Sequence, residues 1–421
     1  MPKVKFLFLI CLAFIVTFTA TVRASDLGEK YKLEKVLILS RHNIRAPLVE
    51  KNSTLAEITP HKWYDWKEAA GDLSLRGGLE ETSMGQYFQR YLVDEGFITE
   101  NYIPAKGEVR FYANSYQRTI ATAQYFASGM LPVANVEVEH KFAVNESDYN
   151  FNFLIPEVNE ELKRRADLEL KKSGYRDTLA KSLADYADAV AEVIDFKNSP
   201  YAKKNGVTKF SMEDFKIPTE RPFITGSIRL AMSASDAIVM QYYEDDDAVK
   251  AAFGRNLTQA DWEKIAAPKD FGLNLFFEWN TWSTVLANPM LKVMRDELAD
   301  SNRRFTFLCG HDINVATVLS ALDVENYVLS DSIEKKVPIG VKVVIEKRRG
   351  TDGREYAAIN LVYQNTAQLR KLEKMTLENP PQILPLKLKG LQANEDGLYL
   401  YSDFERRLND VIADYNLFVN K

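Results

Sequence analysis

The stretch LILSRHNIRAPL, residues 37–48, decides how this chain is read. An apolar run, Val36 to Leu39, ends at Ser40. Arg41, His42 and Arg45 follow before Pro47 closes the segment. The run predicts a buried strand over 34–40, with the polar residues on the turn beyond its C-terminal end. The chain has only four histidines, and this one lies between two arginines. A cation beside an imidazole disfavours protonation, so His42 is expected to stay neutral. A neutral imidazole among fixed cations suits a nucleophile that attacks an anion.

Two later places share the design of strand, polar turn and helix. Asn114-Ser115-Tyr116-Gln117-Arg118 follows a short strand predicted over Val109–Ala113 and opens a helix over Gln117–Met130. Gly310-His311-Asp312 follows the apolar run Phe305 to Leu308 and opens a helix over Asp312–Leu322. Parallel strands would bring all three turns to one edge of a sheet, where ligands of such folds bind. Helix N-termini there point free N–H groups at anions. Arg41, Arg45, Arg118 and His311 could then surround a phosphate, guanidinium forks matching its oxygens. Each residue has an ordinary reading when taken alone. A lone arginine after a strand is usually a surface charge, and Asp312 is a good helix N-cap. The weight lies in the conjunction. A metal site is the competing use of histidine, but no carboxylate–histidine cluster accompanies His42 or His311, so no metal and no cofactor are expected. His61 and His140 have no such company and read as structural or surface residues.

The remaining pattern sets the architecture. Gly78 to Glu95 has helical spacing with Leu79, Tyr87, Tyr91 and Leu92 on one face. Pro156 to about Phe196 is charged, alanine-rich and helical, with alternating signs that read as solvated faces. Ile228 to Tyr243 is another helix, and Lys342–Glu346 with Glu355–Tyr363 reads as a hairpin. Strand–helix units at both ends with helices between predict an α/β three-layer sandwich with a central, mostly parallel sheet and an inserted, mostly helical domain. The expected division is residues 25–139 and 285–421 for the α/β part and 140–284 for the insertion.

The 421 residues are 46% apolar, enough for a large core. The net charge of −5 argues against a nucleic-acid partner, since no basic excess is present to neutralise phosphates. Residues 1–24 read as a signal peptide: Lys3 and Lys5 precede an apolar Phe6 to Ala20, and Val22-Arg23-Ala24 suits cleavage before Ser25. The chain is therefore expected to be periplasmic or secreted, with no membrane association after cleavage. Loss of Lys3, Lys5 and Arg23 would take the charge from −5 to −8. Cys11 would leave with the signal, so Cys309 would stand alone without a disulfide. At the end of an apolar run it reads as a buried, inert thiol despite the nearby His311.

The pairing of RHNIRAP with GHDIN resembles the histidine acid phosphatase family, whose usual signatures are R-H-G-x-R-x-P and H-D. Asn43 stands where the family usually has glycine. That RHN form, with ANSYQRTIATAQYF, MQYYE, ALDVENY and VPIGVKVV, is similar to a branch of the family acting on glucose 1-phosphate. The likeness runs from about Leu33 to Asp410. It implies a phosphoglycerate mutase-like fold and an acid phosphatase working through a phosphohistidine. His42 would be the nucleophile, and Asp312 would protonate the leaving alcohol. Arg41, Arg45, Arg118 and His311 would bind the phosphoryl group. Bound phosphate and partial burial are expected to raise the pKa of Asp312. Ile313 replaces the more usual Ser or Thr. Candidate pocket residues are Leu48, Glu220 and Asp236, with Ser233 a further possibility. Glu220 lies one residue further from Gly226 than the family's substrate-facing glutamate. The expected partner is a small phosphorylated substrate, a sugar 1-phosphate or an inositol phosphate. Phytate wants a basic rim, and Leu48-Val49-Glu50 is not basic. A phosphohistidine mutase and an idle phosphate binder are the rival readings. The sequence assigns no oligomeric state.

Overall fold

The structure, a computed structural model, describes residues 24–50, 53–175 and 180–420; the expected signal peptide, apart from Ala24, lies outside them. Among these residues β1 (Tyr31–Arg41) leads to α1 (Leu75–Asp94), β2 (Val109–Ala113), α2 (Gln117–Met130) and the short β3 (Val138–Glu139). Helices follow: α3 (Glu160–Ser173), α4 (Ala180–Val193), α5 (Arg229–Glu244), α6 (Gln259–Glu278) and α7 (Asn280–Ala299). The chain then returns to the sheet with β4 (Phe305–Gly310), α8 (Asp312–Ala321), β5 (Lys342–Gly350), β6 (Glu355–Tyr363), β7 (Gln382–Pro385), β8 (Tyr399–Leu400) and α9 (Tyr401–Phe418).

The strand order is β3-β2-β4-β1-β5-β6-β7, with β8 on β6. β3, β2, β4 and β1 run parallel, and the β5–β6 hairpin adds antiparallel to β1. β1 is central, and Val36 to Arg41 are buried throughout. That is why it reads as a continuous apolar run rather than an alternation.

Each face of the sheet has its own apolar cluster. One joins Val36, Ile38, Phe111, Phe307 and Val344 to Phe88 of α1 and Phe126 of α2. The other joins Leu37, Leu39, Leu308 and Val343 to α3 through α9, including Trp262, Trp279 and Trp282. The helices of residues 160–278 thus share one core with a face of the sheet. On α3 the alternating charges lie on the outer face: Glu161 meets Arg164 and Arg165 at 2.8 and 2.6 Å, while Leu162, Ala166 and Leu170 face inward; α6 differs, burying Lys269 and Asp270.

α1 departs from its apolar pattern. Leu79 is exposed, and the buried stripe instead includes Gly77, Glu80, Glu81, Met84 and Phe88. The reason is close approach: a Cβ on Gly77 would lie 2.4 Å from the Ile44 carbonyl oxygen. Glycine lets α1 lie directly on the turn after β1.

Candidate active site

β2, β4 and β1 end together. The register pairs Arg41 with Gly310 and Ala113 with Cys309. Backbone bonds carry the pairing past the strands, from His42 N–H to Gly310 (3.0 Å) and from Asn114 N–H to Cys309 (2.9 Å). The three turns separated in sequence therefore leave one edge side by side.

His42 is 4% exposed. Its Nδ1 lies 2.9 Å from the Asn43 carbonyl, which can only accept, so Nδ1 carries the proton and Nε2 the lone pair. The imidazole is held neutral, its pKa well below the ordinary value of 6.5. Burial is the largest cause, ahead of Arg118, His311, Arg45 and Arg41. The expected neutrality holds, but the arginines are not its main source.

The His311 ring stands edge-on to His42, centroids 5.5 Å apart. Asn114 Oδ1 accepts from the Ser115 N–H and from Asn152, which fixes its Nδ2 as the donor to His311 Nε2 at 2.6 Å. His311 when neutral therefore carries its proton on Nδ1. Burial and then Arg118 push its pKa down to about 3.

Arg41 is fully buried. Its Nη1 donates to Glu334 (2.8 Å) and to the Val337 carbonyl (2.7 Å). Its Nη2 sits 3.4 Å from Asp312 Oδ2, and neither Nη2 nor Nε makes a hydrogen bond. Arg45 pairs with Asp236 at 2.9 Å. Arg118 lies over the Tyr116 ring, reaches the Gly71 carbonyl only at 3.4 Å, and leaves a buried Nε unpartnered. Burial and then Arg45 lower its pKa to about 10. Buried donors without acceptors are uncommon, and here they belong to two converging cations. An anion with several oxygens would satisfy them.

Asp312 corrects two expectations. His311, not Asp312, is the N-cap of α8, with its N–H donated to Asn314 Oδ1 (2.8 Å); Asp312 is the first helical residue. Its pKa is not raised in the free protein. Burial pushes it up, but Arg41, then Lys269, His311 and Arg45, outweigh burial and hold it at about 2.

The pocket candidates separate. Asp236 is in the site through Arg45. Leu48 is 57% exposed at the rim, beside Gly71, against which Arg118 also rests. Glu220 is exposed, with Lys163 as a nearby cation, and Ser233 is exposed on α5. Neither lines the cavity of about 320 Å³ that opens beside Asp312. That cavity is walled by Phe223, Met232, Leu273, Phe276 and Ile313, with Arg229 and Lys269 as its cations. His61 stacks on Phe253, and His140 bonds the Phe142 carbonyl. Cys309 is fully buried, and burial holds its thiol pKa well above the ordinary value.

Residues missed in the sequence are Lys269 and Glu334, and Asn114 was placed on its turn without a role. Glu334 is wholly buried between Arg41 and Lys269 and also accepts the Ile339 N–H at 3.0 Å. The one local signal was Lys269-Asp270 inside the otherwise apolar AAPKDFGLNLFF. Glu334 sits in a polar loop and carried none.

The sheet is mixed, parallel only across β3, β2, β4 and β1, and the ends of its parallel strands gather two neutral histidines, three arginines and a carboxylate, a set suited to phosphoryl transfer. Residues 32–364 match the histidine phosphatase superfamily (branch 2), and the chain belongs to that family of phosphomonoester hydrolases. It is 32% identical to a glucose-1-phosphatase of Salmonella typhimurium over 415 residues, 96% of this chain and 98% of that one. A glucose-1-phosphatase of Providencia rettgeri is also 32% identical, covering 92% and 93% of the two chains. The solved apo phytase of Hafnia alvei superimposes with a TM-score of 0.80 at 23% identity, covering 91% of this chain and 97% of that one. That likeness bears on the fold.

Proposed function

We propose that this chain hydrolyses a small sugar 1-phosphate, such as glucose 1-phosphate, through a phosphohistidine on His42. The carrying observation is the state of His42. Its Nδ1–H is committed to Asn43, so a neutral Nε2 lone pair stands among arginines whose buried N–H groups lack acceptors. The substrate class rests on two relatives bearing the name glucose-1-phosphatase.

His42 Nε2 attacks phosphorus as the ester P–O bond breaks, and the departing alkoxide takes a proton from Asp312. Water then attacks phosphorus, Asp312 recovers a proton from it, and the P–N bond breaks to free His42 and phosphate. Positioning and charge stabilisation carry most of such a transfer. Arg41, Arg45, Arg118 and the Nδ1–H of His311 meet the phosphoryl oxygens. A bound ester adds negative charge among the cations that hold Asp312 ionised, which raises its pKa toward that of a working acid.

The cavity beside Asp312 favours a small alcohol over phytate. It is largely apolar, and Lys269 is already committed to Glu334 and Asp270. A polyanion would find few free cations there. A mutase would return the phosphoryl group to a second hydroxyl instead of to water. Export to the periplasm or medium follows from the signal-like residues 1–24, and N-terminal sequencing of the mature protein tests it. The activity test is incubation with glucose 1-phosphate and with phytate, chelator present, while free phosphate is measured. Rapid release from glucose 1-phosphate is expected. Faster release from phytate, or a phosphate-shifted sugar without free phosphate, would overturn the reading.

A further inference from the structure

The substitution of asparagine for the signature glycine at position 43 has a counterpart across the fold. Asn43 is fully buried. Its Oδ1 accepts the Ile44 N–H (2.7 Å), which orients its Nδ2 toward Glu81 Oε1 at 2.8 Å. Glu81, on α1, is also fully buried, and the same oxygen accepts from Lys342 Nζ at 3.0 Å. Lys342, at the start of β5, is fully buried and donates to the Gly340 carbonyl at 2.9 Å. The Gly340 N–H donates to the His42 carbonyl at 3.2 Å, and His42 Nδ1–H donates to the Asn43 carbonyl at 2.9 Å. The contacts form a closed circuit: His42, Asn43, Glu81, Lys342, Gly340 and back to His42. Gly340 has φ +68°, and a Cβ there would lie 2.7 Å from Asn43 Nδ2, so the circuit is tightly packed.

We propose that Asn43, Glu81 and Lys342 are positioning residues for His42, a buried ring that fixes both its backbone and its imidazole. A buried carboxylate–ammonium pair is weak evidence for stability, because desolvation offsets much of its attraction. Fixing a geometry is the better-attested use of such a pair. The acceptor of a histidine's second nitrogen sets tautomer and ring orientation, as in other sites where imidazole chemistry depends on a supporting group. Here that acceptor is the Asn43 carbonyl, and its own peptide is held from the side-chain end by Glu81. A glycine at 43 offers no such handle. The two carboxylates that interrupt the apolar face of α1 thus separate in purpose: Glu81 faces the nucleophile's peptide, while Glu80 meets Gln364.

The inference rests on His42 being the nucleophile, and its test keeps the two apart. Asn43→Gly and Glu81→Gln are made singly and together in the full chain. With 15N-labelled histidine, the His42 ring should show the Nδ1–H tautomer in the wild type and a mixture in each variant. Rapid-quench phosphoenzyme formation should slow about 10–100-fold, equally for glucose 1-phosphate and p-nitrophenyl phosphate. The double variant should be no slower than the slower single, because one ring is broken once. Calorimetric binding of inorganic phosphate should stay within about twofold, since the arginines are untouched. If Glu81→Gln does not fold, Asn43→Gly alone decides. Wild-type tautomer and wild-type rate in folded Asn43→Gly would overturn the proposal, as would losses that multiply in the double variant. A wild type that forms no phosphoenzyme would instead remove the nucleophile reading, with the tautomer measurement still deciding whether the ring orients His42.

Discussion

The two sides of Asp312 differ in origin and in chemistry. Toward His42 the neighbours are Arg41, His311, Arg45 and Arg118, carried at the C-terminal ends of parallel strands, on the turns beyond them or, for Arg118, in the first turn of α2. On the other side lies a cavity walled by Phe223, Met232, Leu273 and Phe276, carried by α5, α6 and the loop before α5. In the proposed reaction the phosphoryl group, common to every ester, would meet the sheet edge, and the alcohol, which differs from one ester to the next, would meet helices outside the sheet. Asp312, at the start of α8, touches both, which suits a group that hands a proton from one side to the other.

The largest expected effect is on the strand side. His42→Ala should lower turnover by about 10³–10⁶-fold with the fold intact, and wild-type enzyme quenched with labelled substrate should yield an acid-labile, base-stable phosphoenzyme. Full activity in the alanine variant would erase the distinction between the two sides.

Asp312→Asn sharpens it. Phosphoenzyme formation from glucose 1-phosphate should slow by about 10²–10⁴-fold, because a sugar alkoxide needs a proton to leave. The same step with p-nitrophenyl phosphate should suffer far less. Equal losses would make Asp312 an orienting group only. Arg118→Ala should weaken inhibition by inorganic phosphate by about 10–100-fold, the equivalent of a lost charge-assisted bond. Unchanged inhibition would remove Arg118 from the site.

The charged side should also govern acid stability. The folded protein keeps His42 neutral well below pH 6.5 and His311 neutral to about pH 3. The unfolded chain protonates both near 6.5, so between pH 3 and 6.5 it binds more protons, and stability should rise with pH across that window. Asp312, depressed from 3.8 to about 2, adds stability that is present above pH 3.8 and is lost below it, as pH falls toward about 2. Denaturant unfolding across the window measures this, and His311→Asn should flatten the slope.

The smallest effect is expected at the rim. Leu48→Lys should raise phytate hydrolysis relative to glucose 1-phosphate by about 2–5-fold, since one exposed cation is heavily screened. No change in the ratio would place specificity wholly in the helical cavity.

Strand–turn–helix units were legible because their signals are local. β2 and α2 begin and end where the residue pattern places them, and β4 extends only two residues past its apolar run. The catalytic candidates were legible for the same reason, as polar residues at strand ends. Glu81 and Glu80 were not, because an apolar stripe cannot announce a carboxylate whose partner is Lys342 or Gln364, more than 250 residues away. Glu220 and Ser233 were misplaced for a related reason. Position along a loop or helix does not say which face meets a cavity assembled by other elements.

By itself the sequence determined which residue types could attack, bind and protonate, and that they would sit at strand ends, because periodicity and turn chemistry act over a few neighbouring residues. Only the tertiary structure decided the states in which they stand. His42 is neutral chiefly because it is buried, Asp312 is ionised because Arg41 and Lys269 outweigh that burial, and one edge of Arg41 is open because Glu334 occupies the other. Burial and the approach of distant charges are properties of packing, and no local pattern encodes them.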